Sequence, residues 1–126
     1  MNENQKRRDE LLSIPADAKP LGEMVRFRGL THDRLELLLS EGFIEENATQ
    51  NNSPTVKGFL LFMKNYPEAT AHGYAISLRR SDYRVSLEGL HYVGYVSKAM
   101  ALDFVKLCRS ASTFKCEDRY LYSWWD

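Results

Sequence analysis

Residues 71–92, AHGYAISLRRSDYRVSLEGLHY, constrain the fold most, because apolar and polar residues alternate on both sides of a polar turn. This alternation predicts a β-hairpin with one face on a hydrophobic core. A tight turn at Arg80 and Ser81 sets Leu78 opposite Tyr83 and makes one face mostly apolar. That face comprises His72, Tyr74, Ile76, Leu78, Tyr83, Val85, Leu87 and His91. We expect helices to cover it, and a close-packed element to cover the small residues of the other face.

Capping residues and helical periodicity predict two helices before the hairpin and one after it. The predicted helices are residues 32–41 after Thr31, residues 54–65 after Ser53, and residues 98–111 after Ser97. An aromatic strand over residues 118–125 completes the order α-α-β-β-α-β. The sequence therefore predicts an α+β fold with a three-stranded, mostly antiparallel sheet packed by helices.

The last strand has two predicted places in the sheet. A strand that returns after a crossover helix runs parallel to the strand before it. It then pairs either beside residues 71–78, antiparallel to them, or directly and in parallel with the second hairpin strand. The small side chains of residues 71–77 favour the first order. Residues 24–27 are a candidate short edge strand.

The chain of 126 residues fits a single domain, which we place at residues 23–126. Pro15 and Pro20 interrupt the preceding segment, so residues 1–22 are predicted to be a flexible or partly helical lead-in. The polar start lacks the apolar segment of a secretory signal. The sequence also contains no run of about 18 apolar residues, which is the length needed to span a bilayer. We expect a cytoplasmic protein without membrane contact.

The charge balance gives no global field that would attract a polyanion, since 17 basic residues match 17 acidic ones. A local anion contact is predicted at Arg79, Arg80 and Arg84, around the hairpin turn. Two helices followed by this hairpin resemble in outline a winged-helix domain. The second helix, however, offers only Lys57 and Lys64 to bases, so nucleic-acid binding is an alternative rather than the main prediction.

His72 and His91 form the best candidate for a chemical site. The predicted register makes them diagonal neighbours on one face, about 7–8 Å apart. Two imidazoles can share a metal or act in acid–base catalysis, and Cys116 is the available third ligand. Since the common catalytic and nucleotide-binding motifs are missing from the sequence, we predict no bound metal or cofactor and do not expect an enzyme.

A surplus of apolar residues points instead to a protein partner or a second copy of the chain. Tyrosine and tryptophan are enriched at the energetic centres of protein interfaces. The candidate interface residues are Leu61, Phe62, Tyr122, Trp124 and Trp125. The main prediction is a non-catalytic protein-interaction or regulatory domain, with nucleic-acid binding or a small enzyme or metal site at the two histidines as alternatives.

Overall fold

An antiparallel sheet of five strands lies at the centre of the molecule, in a computed structural model that describes residues 3–15, 24–76 and 85–126. The elements are α1 (Glu3–Leu12), β1 (Met24–Leu30), α2 (His32–Ser40), α3 (Val56–Asn65), β2 (Thr70–Ile76), β3 (Val85–Val93), α4 (Lys98–Leu107), β4 (Thr113–Glu117) and β5 (Tyr120–Trp124). The strand order across the sheet is β1-β2-β3-β5-β4. The predicted α+β class is confirmed.

The predicted three-stranded sheet is wrong in strand number and order. β1 extends to Leu30 and pairs with β2, in the place that we had assigned to the last strand. Residues 113–124 form not one strand but a hairpin, in which β4 and β5 are joined by a turn at Asp118 and Arg119. The hairpin reverses the chain once more after α4, so β5 pairs with β3 in the antiparallel direction rather than the parallel one.

The register between β2 and β3 begins as predicted and then shifts. Thr70 faces His91 and His72 faces Gly89, as expected, but the pairing slips by one residue between His72 and Gly73. This β-bulge leaves Glu88 as the extra residue on β3. The described residues stop at Ile76 and resume at Val85, so the predicted turn at Arg80 and Ser81 and the pair Leu78 and Tyr83 lie outside them.

The bulge changes which residues face the core. Val85 and Leu87 pair with Ala75 and Gly73 rather than with the tyrosine and isoleucine positions of β2. The small-residue face of β2 therefore joins Val85, Leu87 and Leu90 in the hydrophobic core. Tyr74 and Ile76, on the other face of β2, are also buried. The core on this side also includes Leu11, Leu12, Leu35, Leu38, Phe59, Met63, Phe104, Leu121 and Trp125.

Helix boundaries follow the capping chemistry in part: Thr31 precedes α2 as predicted but makes no side-chain cap hydrogen bond. The Ser97 hydroxyl accepts a hydrogen bond from Met100 N (3.1 Å), which confirms it as the N-cap of α4. The N-cap of α3 is Thr55, whose hydroxyl accepts from Gly58 N (3.1 Å). Ser53 instead accepts from Gln50 N (2.9 Å) in the preceding turn, so it is not the cap.

The basic run in α1 anchors this helix to the fold. Arg8 is buried, and its guanidinium donates to the backbone oxygen of Ile76 (2.6 Å) and to Asp9 (3.0 Å). Arg7 forms a bidentate pair with Glu41, at 2.8 Å for both contacts. α1 thereby lies against α2 and β1, and its C-terminal end forms one wall of the groove described next.

Candidate functional site

The sheet face opposite the core carries a groove of about 1090 Å³, which we call the open-face groove. Residues 12–15, at the end of α1, form one wall. The floor and remaining walls include Arg26, Arg28, His72, His91, Tyr122 and Trp124. It is therefore built from β1, β2, β3 and β5 together, and the fold brings these side chains together from distant parts of the sequence.

Alternation along β5 supplies the aromatic wall. Leu121, Ser123 and Trp125 are buried. The residues between them, Tyr120, Tyr122 and Trp124, are half-buried and line the groove. Successive side chains of a strand point to opposite faces, so this period-two pattern divides the segment between core and groove. The aromatic residues of the groove are thus dictated by the same pattern that completes the core.

His72 is fixed by a stacking contact and a hydrogen bond. Its ring is parallel to that of Tyr122, with an interplanar angle of 2° and centroids 5.3 Å apart. Its Nε2 lies 2.9 Å from the backbone oxygen of Ser123, and because a carbonyl only accepts, Nε2 carries the proton. The imidazole therefore substitutes for a strand hydrogen bond, while Leu90 N bonds to the Ser123 hydroxyl (3.0 Å).

Burial lowers the pKa of His72, and this effect outweighs the opposing effects of the Ser123 hydrogen bond and of Glu88. The ring is therefore neutral at pH 7, since the usual pKa of histidine is already about 6.5. With Nε2 bonded to Ser123, the neutral ring keeps Nδ1 as a hydrogen-bond acceptor for a ligand.

Acid should weaken the fold through His72. Its pKa is lower in the folded than in the unfolded chain, so below about pH 6.5 the unfolded state binds more protons. This contribution to stability is complete above that pH and is lost as the pH falls further. We expect the free energy of unfolding, measured by urea titration, to decline from pH 7 to pH 5 less steeply in His72→Gln than in the wild type. Equal slopes would contradict this expectation.

His91 lies where the register prediction placed it, on the same face as His72 and diagonal to it across β2 and β3. Its ring meets Tyr120 edge-on at a centroid distance of 5.5 Å. Cys116 does not join the pair, because it is opposite Leu121 on the core-facing side of the sheet. Among the described residues, no three histidine, cysteine or acidic side chains cluster in a way that could hold a metal.

The two cysteines are free thiols that burial keeps protonated. Burial raises the pKa of Cys108 to about 12 and also raises that of Cys116. A thiolate is the reactive form of cysteine, so neither thiol has the lowered pKa of an activated nucleophile. Cys108 is instead packed in the core.

A buried carboxylate, which the sequence analysis did not predict, lies beside the groove. Glu88 is only 4% exposed, forms an ion pair with Arg26 and accepts a hydrogen bond from Trp124 Nε1 (3.3 Å). Glu88 is the bulged residue of β3, so the alternation of side chains along the strand does not predict which face of the sheet it lies on. The adjacent glycine, Gly89, was the one sequence signal for such a bulge.

The predicted interface residues divide into three groups. Leu61 is 62% exposed on α3. Phe62 and Trp125 are 5% and 0% exposed, so their assignment to an interface is corrected: they pack inside the core. Tyr122 and Trp124 line the open-face groove. The predicted anion contacts Arg79, Arg80 and Arg84 lie outside the described residues.

Comparisons with protein-family models, with curated proteins and with solved structures found no match to this chain. In the part of the chain that the structure describes, no helix combines the length and the apolar character needed to cross a bilayer. The function is therefore argued from the groove itself.

Proposed function

We propose that this chain is a protein-interaction domain whose partner binds in the open-face groove. The main support for this proposal is that three aromatic residues of β5 face the groove instead of the core: Tyr120, Tyr122 and Trp124. Tyrosine, tryptophan and arginine are enriched among the few residues that carry most of the binding energy at protein interfaces, since they combine a large apolar area with a polar group. The groove adds the arginines of β1 to these aromatic rings.

The size of the groove supports a peptide segment as the occupant. Pockets for drug-sized molecules measure about 300–1000 Å³. The open-face groove, at about 1090 Å³, lies at the upper end of that range and extends across the sheet from the end of α1 to β5. The Nδ1 atom of His72 provides an acceptor for a backbone or side-chain N–H of the occupant. We also propose a cytoplasmic location, since two free thiols are compatible with a reducing compartment.

Selection from a displayed library of random dodecapeptides tests this proposal. We expect the wild-type protein to enrich peptides that bind the groove, and Tyr122→Ala to weaken them at least about tenfold, because loss of an interface hot spot costs about 2 kcal/mol. Calorimetry on synthetic peptides measures the change. Leu61→Ala is the matched control, since this side chain is exposed on α3 and does not line the groove.

Two outcomes would contradict the proposal: no enriched peptide, or enriched peptides that bind wild type and Tyr122→Ala equally well.

Light scattering of the protein alone establishes whether a second copy is a partner. A dimer that Tyr122→Ala dissociates, and Leu61→Ala does not, would identify the groove as the surface of self-association.

A further inference from the structure

We infer that the open-face groove selects a partner segment that presents one carboxylate next to an aromatic or aliphatic side chain. This inference rests on the proposed function and specifies the chemistry of the partner. It begins from charge: two arginines, Arg26 and Arg28, line the groove, whereas none of its described lining residues is acidic. The groove therefore favours an anionic group.

The two arginines are not equivalent. Arg26 already pairs with the buried carboxylate of Glu88, which lies behind it and is also bonded to Trp124. Arg28 is exposed, and within the described residues it has no ion pair. An arginine fork binds a carboxylate through two parallel hydrogen bonds. Arg28 is thus the group that remains to bind an anion from the partner.

A second bulge places Arg28 beside the aromatic floor. Phe27 pairs with Gly73 and Leu30 pairs with Ala71, so Arg28 and Gly29 together lie opposite His72. Gly29 adopts a left-handed backbone with φ of 72°, a conformation that glycine reaches without steric cost. Arg28 and the flat, neutral surface formed by His72 stacked on Tyr122 therefore line the same groove.

This juxtaposition defines the recognised chemistry. A carboxylate at Arg28 directs the adjacent side chain of an extended segment onto the ring surface of His72 and Tyr122. A nucleic-acid backbone fits the described part of the groove less well, because binding a polyanion needs several cations and one arginine without an ion pair is found among the described lining residues. An acidic peptide with a neighbouring apolar residue satisfies both parts of the groove.

The same dodecapeptide library provides the test. We expect peptides enriched on the wild type to share an Asp or Glu next to a Phe, Trp, Tyr or Leu, and this acidic preference to vanish on Arg28→Gln. Replacing that acidic residue by its amide in the dominant peptide should weaken binding to the wild type about tenfold and leave binding to Arg28→Gln unchanged. Arg109→Gln, an exposed arginine outside the groove, is the matched control and should keep the preference.

The outcomes separate this inference from the proposed function. Peptides that depend on Tyr122 but carry no shared acidic residue would overturn the carboxylate selection and leave the protein-interaction proposal standing. The absence of any Tyr122-dependent peptide would overturn both. A single-stranded dodecanucleotide that binds more tightly than the dominant peptide, with affinity falling steeply with salt, would also overturn the inference.

Discussion

Gly89→Ala should destabilise the domain by about 3 kcal/mol or more, a large part of the stability of a protein of this size. A Cβ atom at this position would lie far inside van der Waals contact with the backbone oxygen of Ser123 and 2.6 Å from His72 Nε2. The first clash is with the backbone, so β3 and β5 would have to separate. Urea unfolding followed by circular dichroism measures the loss.

Gly58→Ala is the control for this substitution. Its added Cβ would lie 3.4 Å from Pro54 Cβ, an ordinary packing distance, in the first turn of α3. Alanine is favoured over glycine in helices by about 1 kcal/mol, so this variant should be as stable as the wild type or slightly more stable. A Gly89→Ala protein as stable as Gly58→Ala would contradict the close approach of β3 and β5.

The same glycine connects the fold to the site. His72 reaches Ser123 only because Gly89, which lies opposite it on β3, has no side chain. Loss of the hydrogen bond would free the imidazole from its stacked position against Tyr122. Any Gly89→Ala protein that remains folded should therefore also lose affinity for groove peptides.

The sequence was informative wherever a local pattern decided the structure. Alternation and capping identified the class, α2, α4 and the diagonal placement of His72 and His91, because these depend on neighbouring residues. The β-bulges at Glu88 and Gly29 were not predictable in the same way. One inserted residue moves every following side chain of the strand to the opposite face of the sheet, while the composition of the strand stays the same.

The hairpin of β4 and β5 was missed for a related reason. β4 is exposed at four of its five positions, so it lacks the apolar alternation that marks a half-buried strand. Its omission changed the predicted direction of β5 and hid the fact that β5 supplies one wall of the groove. The aromatic run was recognised, but its division between the core and the groove depends on which neighbour the strand pairs with.

Trp125→Ala should cost about 3–5 kcal/mol of stability, whereas Trp124→Ala should cost only about 1 kcal/mol. Trp125 is fully buried, meets Phe59 edge-on at 5.5 Å and donates through Nε1 to the Ser110 hydroxyl (3.0 Å). Its removal leaves a cavity in the core. Trp124 is half-buried in the groove wall, and its removal leaves Glu88 still paired with Arg26.

The two adjacent tryptophans therefore separate folding from binding. Trp125→Ala should lower the urea midpoint strongly, while Trp124→Ala should remain folded and bind the selected peptides at least about tenfold more weakly than the wild type. Each variant is a control for the other, because both remove one indole from the same strand end. A Trp125→Ala protein of wild-type stability would contradict the assignment of Trp125 to the core. A Trp124→Ala protein that is strongly destabilised, but whose folded molecules bind the peptides as tightly as the wild type, would contradict the assignment of Trp124 to the groove.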